Sequence, residues 1–285
     1  MTFAPYAPYL GFYLAICMSA TNNAHSAASG WISTDFSQVR MITSRDSVAG
    51  KTELDVGIQV RLESGWKTYW RHPGDAGIPT EFDWSASENV AQIKLSWPAP
   101  KRLSFEGLDS FGYEDEVVFP VHIRVLDADA SARVGLRLIY AACRDVCVPL
   151  EANMVLDIPA IAHQSRPSTD FHRALIERYR SRVPSPAEGD MDIESAIIVT
   201  EGDRRVLRLI ASAQVSFENP DVFVEGPEEV FFGRPRLSVS GDRRAVVAEL
   251  AIDDGGKPAP DARPLRITFI DGKRAIERTL SPTIQ

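Results

Sequence analysis

Two cysteines four residues apart, Cys143 and Cys147, have the type and spacing to do chemistry in this chain. They lie in Tyr140-Ala141-Ala142-Cys143-Arg144-Asp145-Val146-Cys147-Val148-Pro149, at either end of a three-residue loop leaving a β-type run. In a tight turn of that length the paired Cα atoms fall roughly 4.5 to 5.5 Å apart, within the range a disulfide tolerates. A bridge can form there and break again with little backbone movement. Its simplest use is as a staple, and chain entropy weighs that use. Closing a loop of about five residues stabilises by only about 2 kcal/mol, against about 5 kcal/mol for a hundred-residue loop. Small rings of this kind are also more easily reduced, which is the behaviour of exchanging disulfides. The arithmetic favours a reversible dithiol/disulfide over a staple. Arg144 between the thiols would favour a thiolate, and Asp145 opposes it.

A soft-metal site is the rival use of the same pair. Two thiolates can hold Cu(I), whereas zinc needs two further ligands. Beyond the first 28 residues the histidines His72, His122, His163 and His172 make no His-x3-5-His pair, so neither a metal site nor a cofactor is assigned. A copper-binding or interaction module without redox turnover stays open as the alternative. The Cys-x3-Cys spacing is shared with copper-delivery proteins of the thioredoxin fold, but those need a helix after the motif, where Met154 to Ile158 reads as a strand. No Gly-rich phosphate loop, Gly-x-Ser-x-Gly elbow or metalloprotease helix motif occurs, and Glu114-Asp115-Glu116 reads as a solvated turn. A formal net charge of -8 without a basic stripe argues against nucleic acid as a partner.

The compartment follows from the first residues. Residues 1–28 contain no Lys, Arg, Asp or Glu, and an apolar run from Tyr9 to Met18 is followed by small polar residues ending Ser26-Ala27-Ala28. The run is too short to span a bilayer and fits a secretory signal peptide cleaved near Ser29. Ile16 sits where a lipoprotein signal would carry a small residue before Cys17. Removal of Cys17 with the signal leaves an even pair of cysteines in an exported protein, which points to a disulfide and a periplasmic location.

The elements that position the pair are short strands. Leu54, Val56, Ile58, Val60 and Leu62 alternate with the period of a half-buried strand. Similar runs follow at Val90 to Trp97, Glu116 to Leu126, Val134 to Ala141 and Met154 to Ile158. Breaks such as His72-Pro73-Gly74-Asp75 and Trp97-Pro98-Ala99-Pro100 separate them. Many short strands without helical periods predict an antiparallel sandwich. Between Gln164 and Pro186 the pattern turns helical, with Ser168 or Thr169 as cap and Phe171, Leu175, Ile176 and Tyr179 on one face. From Asp190 the β pattern returns, with runs near Ser195 to Thr200, Arg205 to Ala211, Asp221 to Glu225, Ala245 to Ile252, Leu265 to Ile270 and Ala275 to Leu280. The expected organisation is a signal peptide over 1–28, a cysteine-bearing sandwich over 29–162, a helical linker over 163–187 and a second sandwich over 188–285. Val230-Phe231-Phe232-Gly233 is expected to pack in the second core or between the domains.

One combination of residues is more specific. Gly65-Trp66-Lys67-Thr68-Tyr69-Trp70-Arg71-His72-Pro73-Gly74-Asp75-Ala76-Gly77, Phe82-Asp83-Trp84, Trp97-Pro98-Ala99-Pro100, Gly112-Tyr113 and Val117-Val118-Phe119-Pro120-Val121, ending in the cysteine motif, span about residues 31–160. Together they resemble the N-terminal periplasmic domain of the thiol:disulfide interchange protein DsbD, and more closely its copper-sensitivity relative ScsB. The resemblance implies an all-β fold of immunoglobulin-like sandwiches. It also implies electron relay from a membrane-embedded DsbD/CcdA-like reductase to thioredoxin-like or disulfide-bonded periplasmic proteins. By the same resemblance Cys143 and Cys147 are the catalytic disulfide, with Cys147 as the attacking residue. Phe105 in Leu103-Ser104-Phe105-Glu106-Gly107 matches the cap, and Trp66 and Tyr69 match aromatics lining the site. The best-known DsbD domain separates its cysteines by five residues rather than three. That family also continues into membrane and thioredoxin-like domains, so donor and acceptor are expected on separate chains.

Overall fold

The computed structural model describes residues 28–285, apart from 76, 106, 162–166, 187–188, 203, 228 and 254–262, and leaves the side chains of Phe105 and residues 167–169 undescribed. The expected signal peptide thus lies almost wholly outside the described residues, as does His163. In chain order the first half forms β1 (Ile32–Ser33), β2 (Ser37–Thr43), β3 (Glu53–Leu62), β4 (Lys67–Gly74), β5 (Glu81–Asp83), β6 (Val90–Leu95), β7 (Lys101–Phe105), β8 (Leu108–Glu114), β9 (Glu116–Val125), β10 (Ala132–Cys143) and β11 (Cys147–Ile158). Helix α1 (Pro167–Arg180) follows. The second half forms β12 (Ser185–Pro186), β13 (Met191–Glu201), β14 (Arg204–Ala213), β15 (Pro220–Glu225), β16 (Phe231–Phe232), β17 (Arg236–Val239), β18 (Ala245–Asp253), β19 (Leu265–Asp271), β20 (Arg274–Leu280) and β21 (Thr283–Ile284).

The first sandwich faces the sheet β1-β2-β3-β9-β6 against the sheet β11-β10-β4-β8-β7, with β5 added alongside β10. The second faces β12-β20-β19-β15 against β16-β18-β14-β13-β21, with β17 also on β18. The fold is all-β and immunoglobulin-like in both halves. Pairing is antiparallel except where the two-residue strands β12 and β21 lie parallel to β20 and β13. The apolar positions of β3 are buried: Leu54, Val56, Ile58 and Val60 share one core cluster with Phe119 of the adjacent strand β9 and with Leu138 and Leu156 of the opposite sheet. Each such side chain removed from water contributes about 1.5–3 kcal/mol before ordering entropy is subtracted. Phe82 and Trp97 meet Phe119 edge-on at 5.6 and 5.1 Å. Tyr113 closes that cluster by donating its hydroxyl proton to the Pro98 carbonyl at 2.7 Å.

Several local expectations are corrected. The helix starts at Pro167, ahead of Ser168 and Thr169, because proline already has the dihedral of a first helical position and no amide proton to satisfy there. Leu175, Ile176 and Tyr179 are buried on the first sandwich, while Phe171 is 60% exposed. Phe171 sits a turn earlier, bordering a shallow surface groove with Arg61, Glu116 and Arg178. The helix that links the two halves is docked on the first core through Leu175, Ile176 and Tyr179. Gly57 makes room for it: a Cβ there would lie 2.7 Å from Val118 and 2.9 Å from Ile176. Tyr179 donates to the Glu116 carbonyl at 2.8 Å and Arg180 to Asp55 at 2.6 Å. The chain does turn at Asp115, whose φ is +60°, yet Glu116 is half-buried and accepts from Gln59, Arg61 and Arg178. His72-Pro73-Gly74 belongs to β4 rather than to a break, since a register irregularity between Tyr69 and Gly74 accommodates Pro73 without a ladder bond.

The two domains are tied by side chains. Phe223 of β15 enters the first core, edge-on to Phe111 at 4.8 Å and to Trp70 at 6.0 Å. Arg71 bonds Glu225 at 2.6 Å and also Glu277. Arg102 bonds Asp109 and Asp221, each at 3.0 Å. Arg234 reaches back to Asp109 at 2.7 Å. A cleft of about 480 Å³ remains between the domains, lined by Arg71, His72, Phe111, Phe223 and the Val230–Gly233 segment. Within that segment Val230 is buried, whereas Phe231 is 58% exposed.

Candidate functional site

Strands β10 and β11 form one antiparallel hairpin in unbroken register from Ala132↔Ile158 to Cys143↔Cys147. The cysteines are its last pair, and exposed Arg144, Asp145 and Val146 make the loop. Cys143 and Cys147 are joined in a disulfide with Cα atoms 4.1 Å apart, closer than a tight turn alone predicts. Direct cross-strand opposition at the final rung accounts for the approach, since non-hydrogen-bonded antiparallel pairs bring Cα atoms to about 4.5 Å.

The two sulfurs have different surroundings. Cys143 is 1% exposed and packs in a small cluster with Tyr69, Ala141 and Ile78, whereas Cys147 is exposed. Small side chains at Ala141 and Ala142 let β10 lie close beneath its neighbours. On the other side β4 delivers Lys67 opposite Cys143 and, two residues on, Tyr69. Strand β4 is held there by β8, and the approach is close enough that a Cβ on Gly112 would lie 2.0 Å from the Thr68 carbonyl oxygen. Only glycine fits that position.

Tyr69 is 1% exposed, and its hydroxyl lies 3.2 Å from the Cys147 sulfur. Burial raises its pKa above that of an ordinary phenol. Trp66, 8% exposed, stacks on Phe36 with ring centroids 4.3 Å apart. Arg144 lies 5.4 Å over the Trp66 ring and bonds Asp145 at 3.0 Å. Burial lowers the pKa of Lys67, Glu114 opposing, and its ammonium donates to Ser110 Oγ at 3.0 Å rather than to sulfur.

Of the residues expected at the site, Cys143, Cys147, Trp66 and Tyr69 therefore come together. Phe105 ends β7 opposite Leu108, and its side chain lies outside the described residues. Sequence reasoning missed Phe36, Lys67 and Ile78. Lys67 lies inside the Gly65–Gly77 stretch that marked the family, whereas nothing in the local sequence around Phe36 or Ile78 points to the cysteines. His72 meets Phe111 edge-on at 5.7 Å in the interdomain cleft, and His122 sits 3.2 Å from Asp55. Among the described residues no group of three or more His, Cys, Asp or Glu is placed to hold a metal ion.

A disulfide at a hairpin tip, one sulfur buried against Tyr69 and the other exposed, on an immunoglobulin-like sandwich, fits thiol-disulfide exchange. Residues 38–159 match the family of the N-terminal domain of thiol:disulfide interchange protein DsbD, and this domain of the chain belongs to that family. Residues 182–285 match a second family, a domain of unknown function. The fold is ScsB-like: the crystal structure of the N-terminal periplasmic domain of ScsB from Proteus mirabilis superposes with a TM-score of 0.70 at 24% identity, covering 90% of this chain and 98% of that one. No curated protein sequence matches significantly. No described helix is long and apolar enough to cross a membrane.

Proposed function

We propose that this protein is an exported periplasmic relay component that takes electrons from a membrane-embedded DsbD/CcdA-like reductase. It passes them to thioredoxin-like or disulfide-bonded proteins through Cys143 and Cys147. The observation that carries this reading is the asymmetry of the bonded pair: Cys143 is 1% exposed, and Cys147 is exposed at the end of an open loop. Cys147 is the sulfur a partner can reach, whereas Cys143 is shielded and suited to resolve a mixed disulfide. Family membership of residues 38–159 supports the same chemistry. Phe105 is the proposed cap over the exposed sulfur, and Trp66 and Tyr69 are its proposed lining.

Trapping tests the reading. A Cys143→Ala variant, which keeps Cys147, should capture a covalent partner in the periplasm that dithiothreitol releases. A Cys147→Ala variant should capture none. If neither variant holds a partner, the relay is refuted; capture by Cys147→Ala alone would reverse the roles of the two sulfurs.

A further inference from the structure

The contact between Tyr69 and Cys147 is specific in its chemistry. A disulfide sulfur carries no proton, so the phenol is the donor across the 3.2 Å separation. The ring is 1% exposed and packs among Ala141, Ile78 and Cys143, which fixes the hydroxyl beside the sulfur. The cations nearest the pair are turned elsewhere, Arg144 to Asp145 and the Trp66 face, and Lys67 to Ser110. The group that reaches the accessible sulfur is thus a buried neutral donor. Because burial raises the pKa of Tyr69, the hydroxyl keeps its proton across the range in which thiols titrate.

We propose that Tyr69 is a catalytic residue of the exchange, its hydroxyl hydrogen-bonding the Cys147 thiolate and so marking Cys147 as the sulfur that attacks and leaves. The inference deepens the relay reading and rests on it for the identity of the partner, but not for the chemistry. When the protein is reduced, a thiolate of the donor dithiol attacks Cys147 Sγ. The donor–Cys147 bond forms, the Cys143–Cys147 bond breaks, and Cys143 leaves with the electron pair and takes a proton from water. The donor's second thiolate then attacks its partner sulfur, closing the donor disulfide and expelling Cys147 as a thiolate into the Tyr69 hydrogen bond. Two electrons have moved from donor to pair. In the return half-reaction the Cys147 thiolate attacks a client disulfide and expels one client thiolate. Cys143 then gives its proton back to water and attacks Cys147 Sγ as a thiolate, which restores the bond and releases the second client thiolate.

The test is the pH dependence of iodoacetamide alkylation of Cys147 in the full chain carrying Cys143→Ala, with and without Tyr69→Phe. A hydrogen bond to a charged acceptor of this kind is worth about a tenfold change in ionisation. Tyr69→Phe should therefore raise the alkylation midpoint by about 1 pH unit and slow the reaction about tenfold below it. Tyr113→Phe in the same background removes a buried phenol hydroxyl that bonds the Pro98 carbonyl rather than sulfur, and should leave the midpoint in place. Replacing Tyr69 by 3-fluorotyrosine keeps the shape and strengthens the donor, so it should move the midpoint down even if Tyr69→Phe folds poorly. An unchanged midpoint with 3-fluorotyrosine, or with a folded Tyr69→Phe, overturns the proposal. None of these measurements needs a partner, so a failed trapping experiment and a failed Tyr69 test are read separately.

Discussion

Reducing the Cys143–Cys147 bond should leave the protein folded and lower its stability only slightly. The ring closed by the bond runs from Cys143 to Cys147, a sequence separation of 4. For a loop of about five residues the entropy removed from the unfolded chain is worth about 2 kcal/mol at 25 °C. The folded state keeps its contacts on reduction, because Cys143 stays packed on Tyr69 and Ala141 and the hairpin ladder continues unbroken from Ala142↔Val148 to Ala132↔Ile158. For a protein of this size that loss lowers the melting temperature by about 4–8 °C. The assay is urea denaturation of the oxidised protein and of the same protein held reduced, followed by tryptophan fluorescence, with near-UV circular dichroism to confirm that tertiary packing survives. A loss above about 4 kcal/mol, or collapse of the near-UV signal on reduction, would refute the reasoning, because a loop this short cannot supply that much by entropy. The bond would then be a staple on which the first domain depends.

Two further outcomes follow from particular residues. Burial works against ionisation of Asp109, and hydrogen bonds from Arg234, Ser104 and Arg102 overcome it, holding the carboxyl at about 2. A carboxylate with a folded pKa below its unfolded value contributes stability above about pH 4 and loses it as pH falls towards 2; after solvent screening the contribution is about 1–2 kcal/mol. Asp109→Asn should flatten the acid limb of the stability profile in that window, and an unchanged limb would remove Asp109 from the domain clamp. Phe105→Ala should speed reduction of the oxidised protein by dithiothreitol several-fold if its side chain covers Cys147, and an unchanged rate would take Phe105 out of the cap role.

Where one period repeats without interruption, the chain announces its own fold. The alternation from Leu54 to Leu62 became β3 with one added residue, and the six β-type runs after Asp190 became β13, β14, β15, β18, β19 and β20. Strands β2, β4, β7 and β8 were not legible. Lys67–Gly74 carries Pro73 and a register irregularity, and Leu108–Glu114 contains Gly112, so neither shows a clean period. The helical pattern was plain, but which residues it buries was settled by where the helix lies on β9, which covers Leu175 and Tyr179 and leaves Phe171 outside.

The cysteine pair divides in the same way. Sequence alone determined that two thiols four residues apart would meet at a hairpin tip, because that geometry is local and set by chain connectivity. Which sulfur is buried and which faces solvent, and that a tyrosine 78 residues away brings its hydroxyl to the exposed one, were decided by tertiary structure. Those features depend on how β4 lies against β10 and on the close passage that Gly112 allows, and no local pattern encodes the packing of strands so distant along the chain.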